Sequence, residues 1–183
     1  LIGAFVSDWL GPRYTLALGL TLQAIIGFAM AGAYAQISQN IAGFAVVYGI
    51  FLSFGEFGPG NNIGLLAAKT SATGVRGRYY GIAAATGKIG AFVGTWVFPY
   101  IQKAGGKDSV KSAQYPFYVA SSLCVLSAIV ALVFVPHVGQ DTIQLEDIRF
   151  REYLEKNGWD TAQLGMGEKS EATEHSVSEK TAL

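Results

Sequence analysis

Charge is what this 183-residue chain has least of: 14% of its residues are Asp, Glu, Lys or Arg, where a soluble domain carries about 25%. The shortage is uneven. From Tyr14 to His137 the charged side chains are few and clustered, and beyond Gln140 they are frequent. So sharp a shift separates a membrane-embedded region from an aqueous tail. Cysteine is nearly absent too. Cys124 is the only one, which excludes an intrachain disulfide and a cysteine-based metal cluster. The two histidines, His137 and His175, lie outside the long apolar runs. No nucleophile is accompanied by a base, so no enzyme, no metal and no cofactor is expected. The formal net charge is zero, and nothing points to nucleic acid. An initiator methionine and a signal-peptide pattern are both missing. Leu1 runs directly into Ile2-Gly3-Ala4-Phe5-Val6, as if an apolar segment were already under way, which predicts a truncated protein with its N-terminal part upstream.

What the chain has is apolar length. Hydrophobic residues make up 51% of it, and four stretches approach the roughly 20 apolar residues that cross a bilayer. They run over about 14–34, 41–68, 79–101 and 116–135, after a stub of a preceding span at 1–7. Backbone groups must be satisfied internally in lipid, so the spans are expected to be helices; a barrel is disfavoured because the runs are continuous and do not alternate. The expectation is an all-α membrane protein, with residues 1–138 as its transmembrane region. Basic residues set the orientation. Arg13 in one connection and Lys69, Arg76 and Arg78 in another predict a cytoplasmic side, against an external connection at 36–40. Lys103, Lys107 and Lys111 run against that rule, and the helix count is taken to outweigh them. Tyr14, Tyr79 and Tyr80 fall at inner ends, and Tyr34, Trp96, Tyr100, Tyr115 and Tyr118 at outer ends, as an aromatic belt would. Residues 139–160 read as an amphipathic cytoplasmic segment closing near Asn157-Gly158. Residues 161–183 are polar and predicted to be a disordered cytoplasmic tail.

Three features stand out inside this frame. Gly3-x4-Asp8-x2-Gly11-x-Arg13 places an acid and a base about a tight turn between two spans, where the acid favours the next helix N-terminus. Glu56, in Phe54-Gly55-Glu56-Phe57-Gly58-Pro59-Gly60-Asn61-Asn62, falls about 15–20 Å from either end of its span. A carboxylate at that depth needs a partner or a proton. Pro59 breaks the hydrogen-bond ladder, and Gly58 and Gly60 let the helix open, as the broken helices of transporters do at the midplane. Lys88 falls about ten residues into the third span. Its matched depth with Glu56 predicts a pair or a shared cavity; a buried salt bridge without a transport role is the plain alternative. A compact ammonium suits an anionic ligand, and phosphate oxygens are strong acceptors. Gly87, Gly90 and Gly94 share a helix face, as do Gly60 and Gly64, and are expected to serve close helix packing.

The first motif resembles the cytoplasmic signature of the major facilitator superfamily in its second occurrence, with Trp9 and Tyr14 replacing some of its basic residues. The resemblance implies the C-terminal part of that fold: helices nine to twelve plus a stub of the eighth. The run from Phe57-Gly58-Pro59 to Gly87-Lys88-Ile89-Gly90-Ala91 resembles the phosphate:proton symporter branch, in which the matching lysine belongs to the phosphate site. Gly-Glu-Phe-Gly-Pro-Gly at 55–60, Leu-Leu-Ala-Ala-Lys-Thr-Ser-Ala-Thr-Gly-Val-Arg-Gly at 65–77 and Phe150-Arg151-x-Tyr153-Leu154-Glu155-x-Asn157-Gly158 are most similar to fungal glycerophosphoinositol permeases. The resemblance implies proton-coupled uptake of a glycerophosphodiester, with Lys88, Glu56, Asn61 and Asn62 at the substrate, a small phosphate-bearing anion, and protons, the bilayer and the N-terminal half as partners. It further implies a multi-pass protein of the plasma membrane with a cytoplasmic C-terminus. Carriers for inorganic phosphate, a sugar or an organic anion are alternatives within the superfamily. A non-transporting sensor or scaffold is the alternative outside it.

Overall fold

The computed structural model describes residues 2–139 and 141–161; the expected disordered tail, Thr161 apart, lies outside them. Among the described residues every regular element is helical. The short α1 (Ile2–Leu10) leads into α2 (Pro12–Gly32), and a single turn, α3 (Tyr34–Ile37), caps its far end. The next span is built from α4 (Ile41–Gly55), a π-helical turn (Glu56–Gly60) and α5 (Asn61–Lys69). Two further long helices follow, α6 (Arg76–Ala104) and α7 (Ser109–Phe134), and then the polar α8 (Thr142–Lys156). Pro12–Gly32, Ile41–Lys69, Arg76–Ala104 and Ser109–Phe134 are each long and apolar enough to cross a membrane.

Local chemistry explains where these helices start and stop. Gly11 separates α1 from α2 with φ +86, a backbone conformation that glycine adopts freely. Its carbonyl then receives the Thr15 amide at 3.1 Å and the Thr15 hydroxyl at 2.9 Å, while Pro12 stands where no intrahelical donor is needed. Asn40 caps α4 by accepting from the Gly43 amide. Asp108 caps α7 by accepting from the amides of Val110 and Lys111 at 3.0 and 3.2 Å. That cap starts α7 seven residues before Pro116, so the proline lies inside the helix and does not begin it. Gly158, at φ +78, follows the end of α8.

The packing is lopsided. α2 is the central helix and touches α1, α3, α4, the π turn, α5 and α7. Its Leu16 and Leu20 join Leu66, Ala128, Ala131 and Val138 in one apolar cluster. At the end away from Gly11, the rings of Tyr34, Phe44, Tyr48, Phe51 and Phe117 pack on one another at 5.9–6.3 Å. Such pairs add about 0.5–1.5 kcal/mol each beyond area burial. α6 is the opposite case: among the described residues it touches only α5 and α7, and it has no buried residue.

That asymmetry corrects the glycine reading. A Cβ at Gly87 or Gly90 would meet nothing within 4 Å, and one at Gly94 would meet only Phe98 of its own helix. One at Gly64 would make ordinary contact with Tyr80, and one at Gly60 would strike the Glu56 carboxylate. Close helix approach is made instead at Gly3, Gly19, Gly27 and Gly58. The face that Gly87, Gly90 and Gly94 share belongs to a helix at the edge of the chain, so within this chain nothing packs there.

α8 sits against the end of the bundle that holds the α5–α6 connection. The Asp147 carboxylate accepts from the Thr73 amide at 2.5 Å and from its hydroxyl at 2.7 Å. Phe150 lies over Gly74, and Lys69 donates to the Gly139 carbonyl at 3.4 Å. The Tyr14 ring meets His137 at 5.8 Å. A cavity of about 330 Å³ opens between α8 and this connection, and none of the expected site residues lines it.

Candidate functional site

The π turn is the place where sequence chemistry forces an irregularity. Pro59 lacks an N–H, and in an α-helix its ring would clash with the carbonyl four residues back. The chain responds with a wider turn. The Asn61 amide bonds to the carbonyl of Glu56, five residues back, and to that of Gly58. Turns of this kind occur mostly as single insertions in α-helices and frequently at functional sites. Glu56 opens the turn. Its side chain is exposed, and its carboxylate folds back against Gly60, where a Cβ would overlap one oxygen and stand 3.1 Å from the carboxyl carbon.

Two helices grip the turn. A Cβ on Gly19 of α2 would stand 2.7 Å from the Gly58 nitrogen and 3.2 Å from the Phe54 oxygen. From the other side, a Cβ on Gly58 would stand 2.7 Å from the Gly19 Cα and 3.2 Å from the Leu16 oxygen. Gly3 of α1 approaches as closely: a Cβ there would stand 2.8 Å from the Phe57 oxygen and would overlap the Asn61 amide. Gln23, one turn along α2 from Gly19, brings its amide against Gly55.

The expected site residues divide on this geometry. Glu56, Gly60 and Asn61 are exposed, Pro59 is half-buried, and Gly58 is buried against α2. Asn62 is fully buried. Its amide nitrogen donates to the Gly58 carbonyl at 2.8 Å, and its oxygen accepts from the Ser7 hydroxyl. Both ends of that carboxamide are engaged within the protein. Lys88 stands on the thirteenth residue of the 29-residue α6, about 18 Å along its axis, and is exposed. The expected Glu56–Lys88 pair is not made. The π turn and α6 do not touch, and among the described residues neither side chain forms an ion pair. Matched depth fixes only the coordinate along the helix axes; the lateral one is set by packing, and α6 is held only through α5 and α7.

The signature residues take separate tasks. Gly3 admits the π turn and Gly11 makes the positive-φ link. Asp8 is exposed. Arg13 donates through Nη2 to the carbonyl of Leu132 near the end of α7. That carbonyl lies in the last turn of α7, where the helix supplies no donor of its own. The Arg13 guanidinium also lies 5.5 Å from the Tyr14 ring centroid. Ser7, Gly19 and Gln23 were not singled out from the sequence. Gln23 is the carboxamide of an otherwise apolar span and could have been found on that ground. Ser7 and Gly19 carry no local signal.

Comparison with known proteins agrees with this architecture. The family model for sugar (and other) transporters matches residues 1–149. A glycerophosphocholine permease of Candida albicans is 60% identical over 164 residues, covering 90% of this chain and 31% of the relative. A major glycerophosphoinositol permease of the same organism is 57% identical, covering 91% of this chain and 31% of the relative. A probable inorganic phosphate transporter of Oryza sativa is 26% identical, covering 94% and 31%. The chain thus spans about a third of the length of these relatives. No solved structure gives a significant match. With four membrane-length helices and a family match over most of its length, the chain is part of a multi-pass membrane protein and belongs to the sugar (and other) transporter family of the major facilitator superfamily.

Proposed function

We propose that the protein to which this chain belongs takes up a glycerophosphodiester, driven by protons, and that this chain supplies one wall of the substrate pathway. The observation that carries the reading is Lys88. A cation stands at mid-length of an apolar helix, exposed within the chain and without a carboxylate partner among the described residues. Intramembrane charges are costly and face a cavity or a partner, so the face of α6 that carries Lys88 is the one that meets the pathway. An ammonium there offers three donors to phosphoryl oxygens.

Glu56 and Asn61 take the polyol part of the ligand or a proton, from a π turn whose other faces are filled by α1 and α2. Gly58, Pro59 and Gly60 hold that turn open, and Asn62 serves from behind. The C. albicans permeases named above support a phosphodiester as the ligand; the inorganic phosphate transporter at 26% identity supports the phosphate group as the common element. In this reading the carrier sits in the plasma membrane, and the distribution of basic residues supports a cytoplasmic side for the 161–183 tail, the amphipathic segment 139–160 and the end bearing Arg13, Arg76 and Arg78. The N-terminal half of the same transporter completes the site, since substrate sites of such carriers lie between two repeats.

The test is uptake of labelled glycerophosphocholine and glycerophosphoinositol by the full-length protein, with Lys88→Ala at matched surface amount. Loss of saturable uptake is expected. Unchanged KM and maximal rate would remove Lys88 from the site, and competition by inorganic phosphate alone would move the reading to that substrate.

A further inference from the structure

We infer that Ser7 and Asn62 are positioning residues that set the shape of the π turn, and through it the direction of Glu56. The inference rests on the functional reading of Glu56 given above and adds residues that touch no substrate.

Four observations carry it. Asn62 is fully buried within a helix long and apolar enough to cross a membrane, and sits two residues past the end of the π turn. Its amide nitrogen donates to the Gly58 carbonyl at 2.8 Å. That bond adds a side-chain donor inside the stretch where Pro59 has removed a backbone one. Its oxygen is fixed by the Ser7 hydroxyl, 55 positions away in sequence and on a different helix. Ser7 is itself buried. Finally, the same α1 surface presents Gly3 to the Phe57 carbonyl and to Asn61. The turn is therefore bonded to α1 through Asn62 and pressed against α2 through Gly19.

Among the described residues, the side of the π turn on which Glu56 folds over Gly60 is exposed. A π turn holds one residue more than an α turn, so closing it to α geometry would swing Glu56 about the helix axis by roughly one residue's rotation. Asn62 opposes that closure because its carboxamide ties the Gly58 carbonyl to Ser7 of α1, so a turn that changed shape would have to break or strain that link. Buried amide networks of this kind specify one arrangement when fully satisfied, and here both ends of the carboxamide are satisfied.

Two measurements on the full-length protein decide the matter. The first needs no substrate. In a background whose other cysteines have been replaced, the thiol introduced by Glu56→Cys is titrated with a charged, water-soluble thiol reagent. Adding Ser7→Ala or Asn62→Leu should change its modification rate about fivefold or more, as expected for loss of one or two buried hydrogen bonds. Ser7→Thr, which keeps the hydroxyl, should leave the rate near that of the parent. The second is transport with Glu56 intact. Asn62→Leu should raise KM about fivefold to tenfold, and Ser7→Ala should raise it less. The double variant should be no worse than Asn62→Leu alone, because both act through one network. Ser7→Ala changes little volume and covers the case in which Asn62→Leu fails to reach the membrane.

An unchanged modification rate in both variants overturns the inference while leaving the functional reading intact. So does a loss of protein from the membrane with unchanged KM, which marks a purely structural role. A thiol at position 56 that never reacts removes the pathway from this face, and the functional reading and the inference fall together.

Discussion

Replacing Gly19 with alanine tests the crossing of α2 and the π turn with a single methyl group. That methyl would stand 2.7 Å from the Gly58 nitrogen and 3.2 Å from the Phe54 carbonyl oxygen. Unbonded carbons rest at about 3.5–4.0 Å, so relief requires the two backbones to part by about 1 Å. No side chain can rotate away, because every atom met is main chain. Overpacking of this kind costs about 1–3 kcal/mol, and a rigid backbone crossing belongs near the top of that range. Alanine recovers about 1 kcal/mol of helix propensity over glycine, which leaves a net loss of about 1–2 kcal/mol. Gly87→Ala is the matched control. Its methyl meets nothing within 4 Å, so only the propensity gain remains. The two variants should differ by about 2–3 kcal/mol, read as a separation of a few degrees in the thermal melting of the purified full-length protein. Gly58→Ala should fall with Gly19→Ala, and the double variant should lose less than the sum, since both widen one crossing. If Gly19→Ala melts at or above Gly87→Ala, the close contact does not exist in the folded protein and the argument for a gripped π turn fails.

Other outcomes follow from particular contacts. Arg13→Ala should destabilise the protein by about 0.5–1.5 kcal/mol by removing its bond to the exposed Leu132 carbonyl, and Arg13→Lys should recover part of it. Asp147→Ala should raise amide exchange over residues 142–156 about fivefold to tenfold, because it removes both bonds to Thr73; equal exchange in the two proteins would mean that α8 is held by its apolar contacts alone. Gly60→Val should alter uptake with little change in melting, since the group it strikes is the end of a flexible carboxylate and not packed backbone.

Much of the fold was legible because lipid leaves few choices. Apolar length and the need to satisfy every backbone group give helices, and the place of Pro59 announces the break in the second of the long spans. The lateral arrangement was not legible. Glu56 and Lys88 share a depth, yet which elements touch depends on how glycines on α2 and α1 meet the π turn. Gly87, Gly90 and Gly94 form a cleaner periodic face than Gly19 and Gly27, and among the described residues no other helix packs against them. Periodicity registers a face without saying what covers it. The two asparagines show the same limit: adjacent residues on a helix point about 100° apart, so the neighbours Asn61 and Asn62 lie on different sides, one exposed and one fully buried.

The bond from Arg13 to the Leu132 carbonyl has a bearing on how the helices can move. It ties the start of α2 to the last turn of α7, 119 positions away along the chain. The same two helices share the apolar cluster of Leu16, Leu20, Ala128 and Ala131. A shift of one against the other at this end would have to break a charge-assisted bond and open that cluster together. α2 and α7 are therefore expected to travel as one body, with any hinge placed elsewhere.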